Sequence, residues 1–270
     1  APSKANGGRT SNLPQHDPAK WELFKEYNRQ DVVTEMEIDR RLASYPVPDW
    51  VQKQWETDLI INARGVAVDM EMVSGALYLG DTVRQNLMTE AMRLSGLNNP
   101  NSVAQLTKWL QEETGEELGD LRKDTVVRLL KKDSNSPQVT RMLEIRQELG
   151  KTSTKKYDAI EAAVCPDKRV RGLLQFYGAN RTGRWAGRLV QVQNLPRTYT
   201  EPLALARDLV RQRNLGGLKA VYGSVPDTLS QLIRTAFIAP EGHVLIDADF
   251  SAIEARVISW LAGEQWRLEV

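Results

Sequence analysis

The densest chemistry in this sequence is LIDADFSAIEAR, Leu245–Arg256, where a short apolar run ends on Asp247 and Asp249 and gives way to an amphipathic stretch through Leu261. A carboxylate at a strand terminus is held rigidly while meeting solvent, which suits it to a divalent cation. The same residues also describe a plain strand that ends in a helix-capping aspartate, and residue type leaves both readings open. A second group is basic and amide-bearing: TGRWAGRLVQVQNLPR, Thr182–Arg197, carries Arg184, Arg188, Gln193 and Asn194. A third is helical, because Phe24, Tyr27 and Asp31 stand three and four residues apart and so share one face.

The whole chain of 270 residues has a formal net charge of only +1, with 36 Lys and Arg against 35 Asp and Glu. That average conceals a concentration. Between Lys151 and Ala220 stand 14 basic and 5 acidic residues, a local net of +9 against −8 elsewhere. Such a stretch is either a solvated face or a surface for a phosphate backbone, whose condensed counterions it would release. Cys165 is the one cysteine, and with only His16 and His243 beside it neither an internal disulfide nor a structural zinc set is expected. No apolar run reaches membrane-spanning length and the N-terminus has no apolar signal core, so an intracellular protein is expected.

The elements that must position these residues are mostly helical. Asp17 and Pro18 read as a cap and first helical residue, opening a helix to about Leu42 that Tyr45–Pro48 terminates. Val51–Asn62 reads as a second helix, and GVAVD (Gly65–Asp69) turns the chain into a third from about Met70 to Leu94. Ser102 caps a helix with Val103, Leu106 and Leu110 on one side. Ser136 and Pro137 open one expected to run toward Ala163, and Pro202–Leu215 reads as another. Gly172–Tyr177, Arg234–Ala239 and Val244–Asp249 are short, apolar and bounded by Gly, Pro or Asp, which favours strands.

Leu245–Arg256 resembles motif A of the family-A DNA polymerases, the polymerase I type. The resemblance implies that Asp249 is the catalytic palm carboxylate that binds magnesium, with Phe250, Ser251 and Glu254 in the nucleotide-binding set and Glu254 crowding the sugar 2′ position. Arg256 would brace the site. Ala252 and Ala255 stand where Gln and Leu are commoner, which touches the finer contacts and not the metal role. Thr182–Arg197 is similar to the same family's thumb-to-palm motif, in a phage-like version with Trp185, Ala186 and Gly187 in place of a Ser-rich stretch. By that likeness Thr182, Arg184, Arg188, Gln193 and Asn194 contact DNA, and minor-groove acceptors shared by every base pair let Arg and Gln check geometry without reading sequence. ELGKTSTKKY, Glu148–Tyr157, is similar to the thumb helix whose Lys151, Ser153, Thr154 and Lys155 would grip the duplex. WELFKEYNRQDVVTE resembles the last exonuclease motif, implying a water-orienting Tyr27 and a metal-binding Asp31. GVAVD resembles the entry into the thumb, and Arg234 the palm strand before motif A.

These matches are collinear along the chain. They imply an α+β fold, a mainly helical thumb with the start of a right-hand polymerase palm sheet: an exonuclease remnant at 1–45, linker and thumb at 46–165, and the first part of the palm at 166–270. The implied partners are primer–template DNA and dNTP, with two Mg²⁺ ions in a site only partly encoded here. Two-metal nucleotidyl transfer needs an opposed second carboxylate; the family supplies it on a His-Asp-Glu strand and supplies triphosphate-binding cations on a fingers helix, neither of which this sequence contains. The expectation is a polypeptide inactive by itself, a fragment or one product of a split gene with a complementing chain, acting in the cytoplasm, of the host if phage-encoded. The rival expectation is a non-enzymatic duplex-DNA-binding module in which Asp249 is structural.

Overall fold

The first α-helix is Pro18–Leu42 (α1), whose start is set by Asp17, the side chain of which accepts from the Lys20 amide at 3.1 Å. The computed structural model describes residues 3–150 and 155–267. After α1 come Asp49–Arg64 (α2), Val66–Val68 (β1) and Met70–Ser95 (α3). Val103–Thr114 (α4), Lys123–Leu130 (α5), Pro137–Leu149 (α6) and Lys155–Ala163 (α7) follow. Arg169–Val170 (β2), Leu174–Ala179 (β3) and Arg184–Gly187 (β4) then lead to Leu203–Arg211 (α8), Leu215–Tyr222 (α9), Val225–Leu232 (α10), Phe237–Ile238 (β5) and Ile253–Ala262 (α11). The architecture is α+β and mainly helical, and no helix among the described residues is long and apolar enough to cross a membrane.

Two units divide the chain, Ala1–Thr57 and Asp58–Val270, with the boundary inside α2. In the first, α1 buries none of its residues, and its surface is laced by pairs such as Lys25–Glu22 and Arg41–Glu37. Trp21 and Phe24 stack on it with ring centroids 5.4 Å apart.

In the second unit α3 is the common beam of two hydrophobic cores. Asp69 caps it by accepting from the Met72 amide at 3.0 Å. Its N-terminal half gives Met72, Val73, Ala76 and Leu79 to a core shared with α7, α8 and α10, while Leu87 and Ala91 join a second core with α4, α5 and α6. Val83 packs against both. At the crossing with α8 a Cβ on Gly75 would lie 2.1 Å from the Val210 carbonyl oxygen, so only glycine permits this approach. Asp69 reinforces the same junction: its Oδ2 accepts from Arg207 at 3.0 Å and from Arg211 at 2.6 Å.

A three-stranded antiparallel sheet in the order β2-β1-β5 pairs Val66 with Val170 and Val68 with Phe237. A separate hairpin pairs β3 with β4, Leu174 opposite Gly187 and Ala179 opposite Arg184, with an irregular register between. The helices expected at α1, α2 and α3 occur within a few residues of their predicted ends, and α4 starts after the Ser102 cap as expected.

Several expectations need correction. Val244–Asp249 is not a strand; Val244, Leu245 and Ile246 are 79%, 65% and 87% exposed, and no ladder forms. An apolar run becomes a strand only beside a partner that takes its N–H and C=O groups, and among the described residues none lies there. The Arg234–Ala239 stretch splits into a 3₁₀ turn, Ile233–Ala236, and the two-residue β5, because Ile233 and Ala236, three apart, both point into the core. Gly172, at φ +68, delays the Gly172–Tyr177 run, so that β3 starts at Leu174. The stretch Pro202–Leu215 breaks at Arg213, whose φ is +55, and Asn214 caps a new helix by accepting from the Gly217 amide at 2.8 Å.

Candidate nucleic-acid interface

The hairpin β3–β4 presents the basic motif, and two polar groups on α2, Asp58 buried and Asn62 half-buried, hold its base. Asn62 donates to the Leu174 carbonyl at 2.9 Å and accepts from the Leu174 amide at 3.1 Å, the pairing a neighbouring strand would give. It also donates to Asp58 at 3.0 Å, and the other Asp58 oxygen accepts from the Trp185 indole at 2.8 Å. Asp58 is only 6% exposed, so these bonds stand in for lost water. Phe176 meets Trp185 edge-on at 5.3 Å. In the turn, Gly183 at φ +67 lies under the Tyr177 ring, where a Cβ would come within 2.8 Å of ring carbon. The strand position after Thr182 and Gly183 is thereby fixed, and Arg184 extends from it into solvent.

Arg184 reaches the Leu245–Arg256 segment. Its Nη2 donates to Glu254 Oε1 at 2.6 Å, joining residues 70 apart in sequence. Both side chains are largely exposed, so the pair adds little to stability and remains open to exchange for a ligand. Glu254 sits in the first turn of α11, where the helix dipole favours a carboxylate. Ala252 enters that helix at φ +50, a left-handed residue, and Arg256 Nε braces the bend by donating to the Ser251 carbonyl at 3.0 Å.

Past β4 the chain forms an ordered loop carrying Gln193 and Asn194. The Arg188 amide donates to the Leu173 carbonyl at 2.7 Å, and Val190 and Leu195 plug the core at 0% and 6% exposure. Gln193 lies against Gly187, where an added Cβ would fall 1.8 Å from its Oε1. Asn194 donates to the Gln191 carboxamide at 3.3 Å. Both remain exposed, as do Thr182, Arg184, Arg188 and Lys155. Lys151, Ser153 and Thr154 lie outside the described residues.

Asp249, Phe250 and Ser251 are exposed on the segment leading into α11. Magnesium is commonly held by one or two carboxylates together with substrate phosphates and water. Asp247 and Asp249 are both exposed, and among the described residues no group of three His, Cys, Asp or Glu could hold a metal. Tyr27 and Asp31 both stand exposed on α1.

The sequence had marked Arg184, Gln193 and Glu254 but not what supports them. Asp58 and Asn62, one helical turn apart on α2, meet groups more than a hundred residues away, and no local pattern announces that. Lys156, inside the Glu148–Tyr157 segment, donates to the Val190 carbonyl at 2.6 Å.

Guanidinium, carboxamide and carboxylate groups exposed side by side on an α+β scaffold are the donors and acceptors with which proteins handle nucleic-acid edges and phosphates. A family model described as DNA polymerase family A matches residues 79–268. The chain is 54% identical over 269 residues to a DNA polymerase of Bacillus phage SP02, a match covering 100% of this chain and 41% of that protein. It is also 26% and 31% identical to the thermostable DNA polymerase I of Thermus filiformis and of Thermus thermophilus, over 76% of this chain and 22% of each relative. This chain belongs to DNA polymerase family A. It spans about two-fifths of the phage relative's length and about a fifth of each bacterial one's.

Proposed function

We propose that these residues supply the thumb and the first part of the palm of a template-directed DNA polymerase, which transfers nucleotides to a primer 3′ end in DNA replication. The observation that carries this reading is the Arg184–Glu254 contact, which brings a basic motif suited to a primer–template minor groove against the helix that follows Asp249. In this reading residues 1–45 are the end of an exonuclease domain, 46–165 linker and thumb, and 166–270 the start of the palm. Arg184, Gln193 and Asn194 donate to minor-groove acceptors, Arg188 and Lys155 meet phosphates, and Glu254 stands at the sugar of an incoming dNTP above Phe250. Asp249, with Asp247 beside it, would hold magnesium, which supplies charge neutralisation at the phosphates when bound. Tyr27 and Asp31 belong to the exonuclease remnant. The setting is the cytoplasm of the cell in which the polymerase acts.

One carboxylate side of a two-metal clamp does not transfer nucleotides. Primer extension with Mg²⁺ and dNTPs is therefore expected from this chain only when it is mixed with a chain bearing the fingers helix and the His-Asp-Glu strand. Robust synthesis by the 270 residues alone overturns that part. Duplex binding supplies the second test, because a polymerase site predicts that Mg²⁺ and dNTP strengthen binding to a recessed primer terminus and that Asp249→Ala removes the gain. Salt-sensitive binding indifferent to Mg²⁺ and to Asp249→Ala would instead identify a DNA-binding module without chemistry.

A further inference from the structure

The loop between β4 and Leu195 is built in a conformation that its own sequence does not favour. Leu189 and Gln191 have φ values of +53 and +54, in the left-handed region that non-glycine residues rarely adopt. Between them Val190 is fully buried, so the backbone is pulled inward at one residue while its neighbours stay exposed. A conformation of this kind persists only where surrounding groups over-determine it.

Among the groups that hold this segment is Lys156. Its Nζ donates to the carbonyl oxygen of Val190 at 2.6 Å, at the centre of the strained segment. The ammonium is delivered from a fixed base, because the next residue, Tyr157, is 1% exposed and its hydroxyl donates to the Leu229 carbonyl at 2.8 Å, while Ile160 one turn on is fully buried. At the far end of the loop Arg234 Nη2 donates to the Leu195 carbonyl at 2.9 Å. Two cations thus hold two backbone oxygens, and Gln193 and Asn194 lie between them.

We infer that Lys156 is a positioning residue that sets the Gln193–Asn194 loop in its DNA-reading form, whereas its neighbour Lys155 is the one that faces solvent for a phosphate. The inference deepens the proposed function and rests on it only for the meaning of the loop. A cation on a phosphate and a cation on a carbonyl differ in what their loss does. Removing a phosphate contact lowers the slope of log affinity against log salt by about one. Removing a loop brace leaves that slope alone and loosens the loop.

The test compares Lys156→Met, Lys156→Arg and Lys155→Met with the parent chain. Amide hydrogen exchange in residues 186–196 is expected to quicken roughly tenfold in Lys156→Met, the loss expected for one charge-assisted hydrogen bond, with exchange in α3 unchanged. Lys156→Arg, which keeps a cationic donor, restores most of the protection, and Lys155→Met leaves it as in the parent. With a labelled primer–template duplex, Lys156→Met lowers affinity at unchanged salt slope, while Lys155→Met flattens the slope. Unchanged exchange in 186–196, or a slope flattened by Lys156→Met, overturns the inference. A parent chain that does not bind the duplex sinks the proposed function, and the exchange result still decides the role of Lys156. Should Lys156→Met fail to fold, the comparison of Lys156→Arg with Lys156→Gln carries the same two outcomes.

Discussion

At the scale of single residues the candidate interface depends on close approaches. The Gln193 carboxamide occupies the space above Gly187, and it is the flexible end of a side chain. Gly187→Ala should therefore cost little stability, within about 0.5 kcal/mol, while it displaces the carboxamide. Duplex affinity should fall as far as in Gln193→Ala, and the two losses should not add in the double variant; additive losses would show that Gly187 acts elsewhere. Asp58 behaves oppositely. Its replacement by Ala leaves the Trp185 indole and the Asn62 amide without their buried acceptor, and denaturant unfolding should report a loss of about 1–3 kcal/mol. The sequence made the exposed partners legible, because Arg, Gln, Asn and Glu fall in recognisable order. It left the buried ones illegible, since Asp58 and Asn62 look like any polar residues on a helix until Leu174 and Trp185 are folded against them.

Among the elements, the α3–α8 crossing combines a steric and an electrostatic constraint. Gly75→Ala would drive a methyl into the Val210 carbonyl, which is backbone and cannot swing aside, so overpacking of about 1–3 kcal/mol is expected in thermal or chemical unfolding. Burial alone would push the Asp69 carboxyl upward, but hydrogen bonds from Arg211, the Met72 amide and Arg207 prevail and hold it below the usual carboxylate range. The sign follows: a folded-state pKa below the unfolded one gives stability that is present above the unfolded value, about 3.9, and is lost as pH falls through the folded value. Asp69→Asn keeps the helix cap but takes the carboxylate from Arg207 and leaves Arg211 paired with Asp208 alone. It should lose roughly 2–3 kcal/mol at neutral pH and show a flatter dependence of stability on acid than the parent. Helices were legible here because Asp17, Asp69, Ser102 and Ser136 announce their starts and apolar spacing fills them. The strands were not, because pairing is non-local. Val244–Asp249 has the composition of a strand without a neighbour to bond, whereas Arg169–Val170, lacking any strand pattern, is one because β1 lies beside it.

Across the whole molecule, charge is the property that sequence reading located and structure redistributed. Of the basic stretch, Arg171 is committed to Asp167, whose carboxyl it holds down near 2, and Arg207 and Arg211 serve Asp69. Arg181, Arg188 and Arg197 remain exposed. Duplex affinity should thus weaken with salt on a slope set by a few cations and not by all fourteen, and Arg188→Ala and Arg197→Ala should each reduce that slope by about one; an unaltered slope would place the DNA elsewhere.

A single long helix that is seated in two cores also governs how the second unit comes apart. Because α3 contributes Leu79 to one cluster and Leu87 to the other, with Val83 touching both, neither cluster can lose its packing without baring a flank of the same rod. Melting should consequently be shared: far-ultraviolet ellipticity and tryptophan emission ought to trace coincident urea curves for this unit, and two separated steps would mean that the rod snaps near Val83.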